Sequence, residues 1–427
     1  MIVATVVLVL VALLLIGVPI GFSMALAGAL GLYWLGGHQV LYGITLSVSG
    51  SGLQSYELIT VPMFILMAEF MVMSGIAASI FRTAATWVGR VPGGLAVSTA
   101  LAGAGLGALS GSSTASAATL SATSIPAMLE KGYEPKLATG VVAISGTLAM
   151  LIPPSIALVL YGIIADVNIG RLLIGGVVPG LMVTVAIIAT VLVLIALDPK
   201  LAPRGEAFTM WQKIVVLRET GPALVLLFFV TGSIYFGFAT PTEASSLGAL
   251  GAMLLCLLMR RLTLSNLLAA LARTAAITCM IFLMILGAKI FGYFISLSRM
   301  THDLLQFIGG LEVPGIYILA LILIVYFLLG FFMDQIAILV LTVPVTLPVV
   351  VSLGHDPVWF GVVIIVIAEL GLVTPPFGLN VFVVSKYTGR RAGEIFAGVA
   401  PHLVAHIAVV VLLVAYPALV LWLPSQM

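Results

Sequence analysis

Runs of close to twenty apolar residues recur along this chain, from MIVATVVLVLVALLLIG at its start to IAVVVLLVAYPALVLWL near its end. Wound as helices, such runs match the roughly 30 Å hydrocarbon core of a bilayer. Lipid offers no hydrogen-bond partners, so each run must satisfy its own backbone, and runs without alternating polarity do so as helices rather than barrel strands. Of the 427 residues 62% are hydrophobic and 7% charged, too polar-poor for a soluble globule. An all-α integral protein of the lipid bilayer is therefore expected. A net charge of +2 carries no basic excess, so nucleic acid is not an expected partner. Cys256 and Cys279 lie in apolar runs without metal spacing and read as small packing residues. The leading run lacks a basic segment before it, so it reads as a permanent span rather than a cleaved signal.

Two halves align at a constant offset of 222 residues. Pro19 pairs with Pro241, Pro126 with Pro348, Gly132 with Gly354, Pro153 and Pro154 with Pro375 and Pro376, Gly176 with Gly398, and Pro179 with Pro401. Matched prolines and glycines mean matched helix breaks. Residues 1–200 form one repeat and 222–427 the other, joined by a linker at 201–221. The first repeat reads as spans at about 2–16, 20–36, 58–75, 135–163 and 171–197, with a re-entrant hairpin at 94–129. The second reads as spans at about 222–238, 241–259, 273–296, 357–386 and 399–424, with a hairpin at 313–352. An odd number of crossings per repeat places the copies in opposite orientation, an inverted repeat.

Charge supports that topology. With the stretch 198–221 in the cytoplasm, Arg82, Arg90, Lys131, Lys136, Lys200, Arg204, Lys213, Arg218, Arg260, Arg261, Arg273, Lys386, Arg390 and Arg391 all face inward. Arg171 and Arg299 fall outside and Lys289 within a span, as the positive-inside rule favours. Both termini are then periplasmic in a bacterial inner membrane.

The polar seam LSGSSTASAATLSATSIP, Leu109 to Pro126, lies inside the first hairpin. Each arm with its turn is too short for two crossings, so the hairpin dips in and returns. Broken backbone at that depth survives where protein or a water-filled cavity satisfies it. Under the offset, Ser112 and Ser113 occupy the positions of Asp334 and Gln335 in the second hairpin. An aspartate at such depth is functional by default, and it can also cap the helix that follows. Behind each hairpin comes a span interrupted at a double proline, 135–163 and 357–386. Pro153 and Pro154 release the carbonyls of Ala149 and Met150, and Pro375 and Pro376 those of Gly371 and Leu372. Such oxygens suit a small hard cation, while the half-helix N-termini beside them favour an anion.

Other buried polar groups read less singly. Glu243 in Thr240-Pro241-Thr242-Glu243 reads as a helix-start acid. Glu69 and Lys289, in corresponding spans, either pair or snorkel. Glu369, two residues before Gly371, either tunes the second cation site or pairs structurally. His402 and His406 read as polar contacts, having no third ligand near. Segment 76–92, with Arg82, Trp87 and Arg90 among apolar residues, reads as an interfacial helix.

The segments GVPIGFSMALAG, SGSSTASAAT, MLIPPS, ATPTEASSLGALGA and VTPPFGLNVFV, spread over essentially the whole chain, together resemble the large membrane subunit of tripartite ATP-independent periplasmic (TRAP) transporters. The resemblance implies sodium-coupled import of an organic acid anion, such as a sialic acid or a C4-dicarboxylate. It implies a small membrane subunit and a periplasmic substrate-binding protein as partners, and an elevator-type motion of hairpins and broken helices against a scaffold. It also implies about two sodium sites: one among Ser110, Gly111, Ser112, Gly146, Thr147, Met150 and Pro153, the other among Phe332, Met333, Asp334, Gly371, Thr374 and Pro375. Substrate would lie between them, near Ser113, Ser116, Ser155, Asp334 and Asn380.

An ATP-driven pump is not expected, since the chain has no GxxxxGK[ST] stretch. Nor is an enzyme: an intramembrane protease using Ser113 with His406 would leave the second hairpin without a purpose. A stand-alone sodium-coupled carboxylate carrier of related fold is the remaining alternative.

Overall fold

The computed structural model describes residues 2–51, 54–203, 205–310 and 313–427. Arg204, among the cations expected inside, lies outside the described residues. Every regular element among them is helical, and eight helices are long and apolar enough to cross a bilayer. Ile2–Leu15 and both double-proline spans fall short of that length, the latter because each is split into two shorter helices. Gln335–Ser352, expected as a re-entrant arm, has 18 residues and is one of the eight.

The start of each helix follows from its first few residues. Glu134 and Asp356, 222 positions apart, are both N-caps followed by proline. Their carboxylates accept from the Leu137 N–H at 2.9 Å and the Val358 N–H at 2.7 Å. Thr240 and Glu243 form a reciprocal capping box, the role read for Glu243 from sequence. Thr209 and Gln212 form another, and it starts the helix Met210–Tyr235 within the stretch taken as linker. The expected start at 222 was late because Gln212, Lys213, Arg218 and Glu219 made the preceding turns look solvated. The second span likewise runs past 36: Ile20–Ser51 continues beyond a kink at Gly37, whose φ of 69° breaks the helical path. Met300–Gly309 was not anticipated, although it falls opposite Ile76–Val88 under the 222 offset.

Packing is reciprocal between the halves. Ile20–Ser51 packs along Leu264–Leu297, and Pro241–Leu258 packs along Thr60–Met73, so the second span of each half meets the third span of the other. The first crossing is backbone on backbone: a Cβ on Gly287 would sit 2.2 Å from the Gly21 carbonyl oxygen. Ile76–Val88 bridges this outer set to the first hairpin. Its Thr83 hydroxyl lies 2.7 Å from that of Thr220, its Arg82 pairs with Glu219 at 3.2 Å, and its Trp87 indole donates to the Lys213 carbonyl at 3.2 Å. The inner set comprises the hairpins Gly94–Ser110 with Ser113–Glu130 and Gly315–Leu329 with Gln335–Ser352, together with the split helices they rest on.

Gly287→Val should therefore destabilise the detergent-solubilised protein by roughly 1–3 kcal/mol in thermal unfolding, the usual cost of overpacking. Gly292→Ala, on the same helix with nothing within 4 Å of the added carbon, should be neutral or stabilising.

Candidate functional site

Each hairpin turns without regular structure for only a few residues. In the first, Gly111 takes φ 56°, a left-handed conformation that ends Gly94–Ser110. Ser112 then extends and caps Ser113–Glu130 by accepting from the Ala115 N–H at 3.4 Å. Ser110 and Ser116 close the turn with hydroxyl oxygens 2.7 Å apart. In the second, Asp334 caps Gln335–Ser352 by accepting from the Ala337 N–H at 2.9 Å, so the capping role weighed for it is present. Its own surface is exposed, which leaves the other carboxylate oxygen available. Phe332 at this tip packs on Phe377 of the second break, ring centroids 5.1 Å apart.

The breaks sit against these tips. The first split helix runs Pro135–Gly146, tightens over Thr147–Met150, and resumes at Ile156–Ala165. Gly146 abuts the start of the second arm: a Cβ there would lie 2.9 Å from that of Ala117. Thr147 donates to the Ile144 carbonyl at 2.7 Å, and Ser155 donates to the Met150 carbonyl. In the second, Thr374 donates through its hydroxyl to Leu370 at 2.7 Å and through its N–H to Gly371 at 3.1 Å. The Asn380 N–H reaches the Leu372 carbonyl at 3.1 Å. Three of the four carbonyls expected to be released, those of Met150, Gly371 and Leu372, thus accept one local hydrogen bond. Each keeps a second lone pair. The two breaks differ in surroundings, Pro153 and Pro154 being buried and Pro375 and Pro376 exposed.

One cavity of about 330 Å³ gathers both tips. Ser110 to Ala115 line it from one side and Asp334 to Ile336 from the other, with Met150 and Leu372 contributed by the breaks. Ile156 and Leu379 of the split helices add to it, and the outer set closes it with Ile65 and Glu69 of Thr60–Met73 and with Ile277, Met280 and Ile281 of Leu264–Leu297. Ser116, Ser155 and Asn380 do not line it, nor do Gly146, Thr147, Pro153, Phe332, Met333, Gly371, Thr374 and Pro375. Of these, Ser155 and Asn380 are wholly buried behind it.

Behind the first tip lies a cluster no spacing argument assembled. The Ser113 hydroxyl lies 2.7 Å from Glu369 Oε2 and 3.1 Å from the Gly146 carbonyl oxygen, and accepts from Asn380 Nδ2 at 3.0 Å. Asn380 Nδ2 also reaches the Ala143 carbonyl at 3.4 Å. Glu369 therefore pairs with the first tip, 256 positions away, and not with the second break beside it in sequence. Glu69, for its part, pairs with Arg273 at 2.7 Å. Lys289 lies about seven turns from the Thr263 cap, near the far end of its helix, whereas Glu69 and Arg273 share a depth; matching depth along the spans would have found the pair. Lys289 instead lines a separate cavity of about 470 Å³ with Asp166, Asn168 and Thr240. His402 and His406 are buried in Ala392–Ala415. No group of three or more metal-ligating side chains occurs among the described residues.

Residues 7–419 match the family described as "Tripartite ATP-independent periplasmic transporter, DctM component". The chain is 32% identical over 373 residues, 87% of each sequence, to the "C4-dicarboxylate TRAP transporter large permease protein DctM" of Pseudomonas aeruginosa. It is 31% identical to the "Ectoine/5-hydroxyectoine TRAP transporter large permease protein UehC" of Ruegeria pomeroyi, over 98% of both chains. To the "Sialic acid TRAP transporter large permease protein SiaM" of Vibrio cholerae it is 30% identical over 97% of this chain and 96% of that one. Among solved structures, the YdaH transporter of Alcanivorax borkumensis shares the fold, with TM-score 0.66 over 90% of this chain and 89% of that one at 14% identity.

Substitution isolates the capping role of Asp334. Asp334→Ala removes the cap and should lower thermal stability by about 1 kcal/mol, whereas Asp334→Asn keeps it and should leave the unfolding temperature nearly unchanged.

Proposed function

The chain belongs to the DctM family of TRAP transporters, the large permease subunits, and from that premise we propose that it imports an organic acid anion in symport with sodium. The observation that carries this reading is the single cavity between two hairpin tips, each backed by an interrupted helix. Its walls are mainly apolar, and its polar groups gather at the tips: the hydroxyls of Ser110, Ser112, Ser113 and Thr114 face Gln335 and Asp334, the charged group the tips contribute. A carboxylate and hydroxyl oxygens gathered at the tips, beside the carbonyls of the interrupted helices, suit a hard cation such as Na+. Energy points the same way. With the interior negative, each sodium entering gains about 2.3 kcal/mol per 100 mV, which offsets the cost of bringing in an anion.

In this reading one ion binds among Ser110, Gly111, Ser112, Gly146, Thr147, Met150 and Pro153. The other binds among Phe332, Met333, Asp334, Gly371, Thr374 and Pro375. Substrate contacts Ser113, Ser116, Ser155, Asp334 and Asn380 once the tips part, because all of these but Asp334 lie buried in the present arrangement. The reciprocal pairing of the halves supports an inverted repeat. The outer helices act as scaffold and the hairpins with their split helices move against them in an elevator motion. A small membrane subunit completes the transporter, and a periplasmic binding protein delivers the acid. The names of the relatives favour a C4-dicarboxylate, a sialic acid or ectoine as the substrate class to test first. The cationic turns face the cytoplasm of a bacterial inner membrane and both termini the periplasm.

Reconstituted vesicles holding the permease, its small subunit and the cognate binding protein should accumulate one acid of such a panel only under an inward sodium gradient. Accumulation that ignores the gradient removes the coupling. Asp334→Asn, which keeps the fold, should cut uptake by about tenfold or more, the scale of losing one charged ligand. Pro153→Ala with Pro154→Ala should weaken sodium dependence by letting the helix re-form; unchanged sodium affinity in that variant would remove the role given to the prolines.

A further inference from the structure

The cluster at Ser113 has more acceptors than hydrogens. A serine hydroxyl carries one hydrogen and two lone pairs. The Asn380 amide nitrogen can only donate, so at 3.0 Å it occupies a lone pair of Ser113 Oγ. One hydrogen is then left for two acceptors, Glu369 Oε2 at 2.7 Å and the Gly146 carbonyl oxygen at 3.1 Å. The shorter contact, to a carboxyl oxygen, is the stronger claim on it. Glu369 is 1% exposed and its other oxygen has no partner, so Ser113 is its one hydrogen-bond partner among the described residues.

Gly146 is where the first split helix ends its regular turns, and its carbonyl belongs to the first ion site of the reading above. A hydroxyl hydrogen aimed at that oxygen takes one of its two lone pairs and sets positive charge beside the other, which weakens it as a cation ligand without closing it. We propose that Glu369 is a positioning residue for this site: it draws the Ser113 hydrogen onto its own carboxyl and leaves the Gly146 oxygen to the ion. The second half would thus set the ion affinity of the first. The arrangement is not mirrored. At the position matching Glu369, Thr147 donates to its own helix at Ile144, and at the position matching Ser113, Gln335 donates to the Ile365 carbonyl at 3.1 Å. The two ion sites are therefore unequal, and only the first depends on a carboxyl reaching over from the other half.

The inference rests on the sodium-symport reading, and the test separates the two. Sodium binding to the transporter, purified with its small subunit and without substrate, is measured by calorimetric titration. Glu369→Met, which keeps volume but offers no oxygen, should weaken it about three- to tenfold, the worth of one added competing hydrogen bond at a ligand. Glu369→Gln keeps an acceptor for Ser113 and should stay close to the parent protein. Adding Ser113→Ala to Glu369→Met removes the competing hydroxyl and should restore most of the lost affinity. If the parent protein does not bind sodium, the symport reading falls. If it binds and Glu369→Met binds equally well, or Ser113→Ala brings no recovery, only the positioning role falls. Loss of affinity in Glu369→Gln equal to that in Glu369→Met would overturn it in favour of a plain charge effect. Should Glu369→Met fail to fold, Glu369→Leu with and without Ser113→Ala takes its place, and equal sodium affinity in that pair overturns the positioning role.

Discussion

Broken backbone inside an apolar phase is the constraint on which this molecule depends. Each interrupted helix exposes carbonyls that lipid cannot satisfy, and each costs several kcal/mol unless a partner is found. The protein answers with short local bonds: Ser155 to Met150, Thr374 to Leu370 and Gly371, and the Asn380 N–H to Leu372. These partners come from within the breaks themselves, so the interruptions are stable before anything binds. Because a carbonyl oxygen has two lone pairs, satisfying one does not close the site.

The outer helices provide the opposite quality. Long, apolar and packed through glycine contacts such as Gly21 on Gly287, they form a surface against which smaller elements can rest. Only a few of their side chains enter the cavity, and those are mainly apolar: Ile65, Ile277, Met280 and Ile281, with Glu69 the exception. Glu69 is held by Arg273, a pair from two different helices whose charge is thereby neutralised near the cavity wall. A wall this poor in fixed polar contacts does not hold the tips in one place, which is a physical condition for any movement between the two sets.

Much of this was legible in residue order. The hairpin at 94–129 and the break at Pro153 announced themselves because serine-rich stretches and double prolines are rare in apolar runs, and the capping of the second arm by Asp334 was weighed from sequence. Helix limits were less legible where a helix leaves the apolar phase: Met210 to Gly221 carry polar residues, and only the Thr209 and Gln212 capping box marks their start. Met300–Gly309 was hidden for the same reason, being short and mixed in polarity.

Residue order by itself determined that the chain lies in a membrane as helices, where it breaks, and which polar residues stand at the breaks. These depend on neighbours within a turn or two. What only the tertiary structure decided is which of those polar groups meet. Glu369 stands beside Gly371 in sequence yet bonds to Ser113, 256 positions away, and Glu69 meets Arg273 across 204. Periodicity gives the face a residue occupies on its own helix, but the partner on that face is set by how helices cross, and crossings depend on side-chain volume and glycine placement in both elements at once.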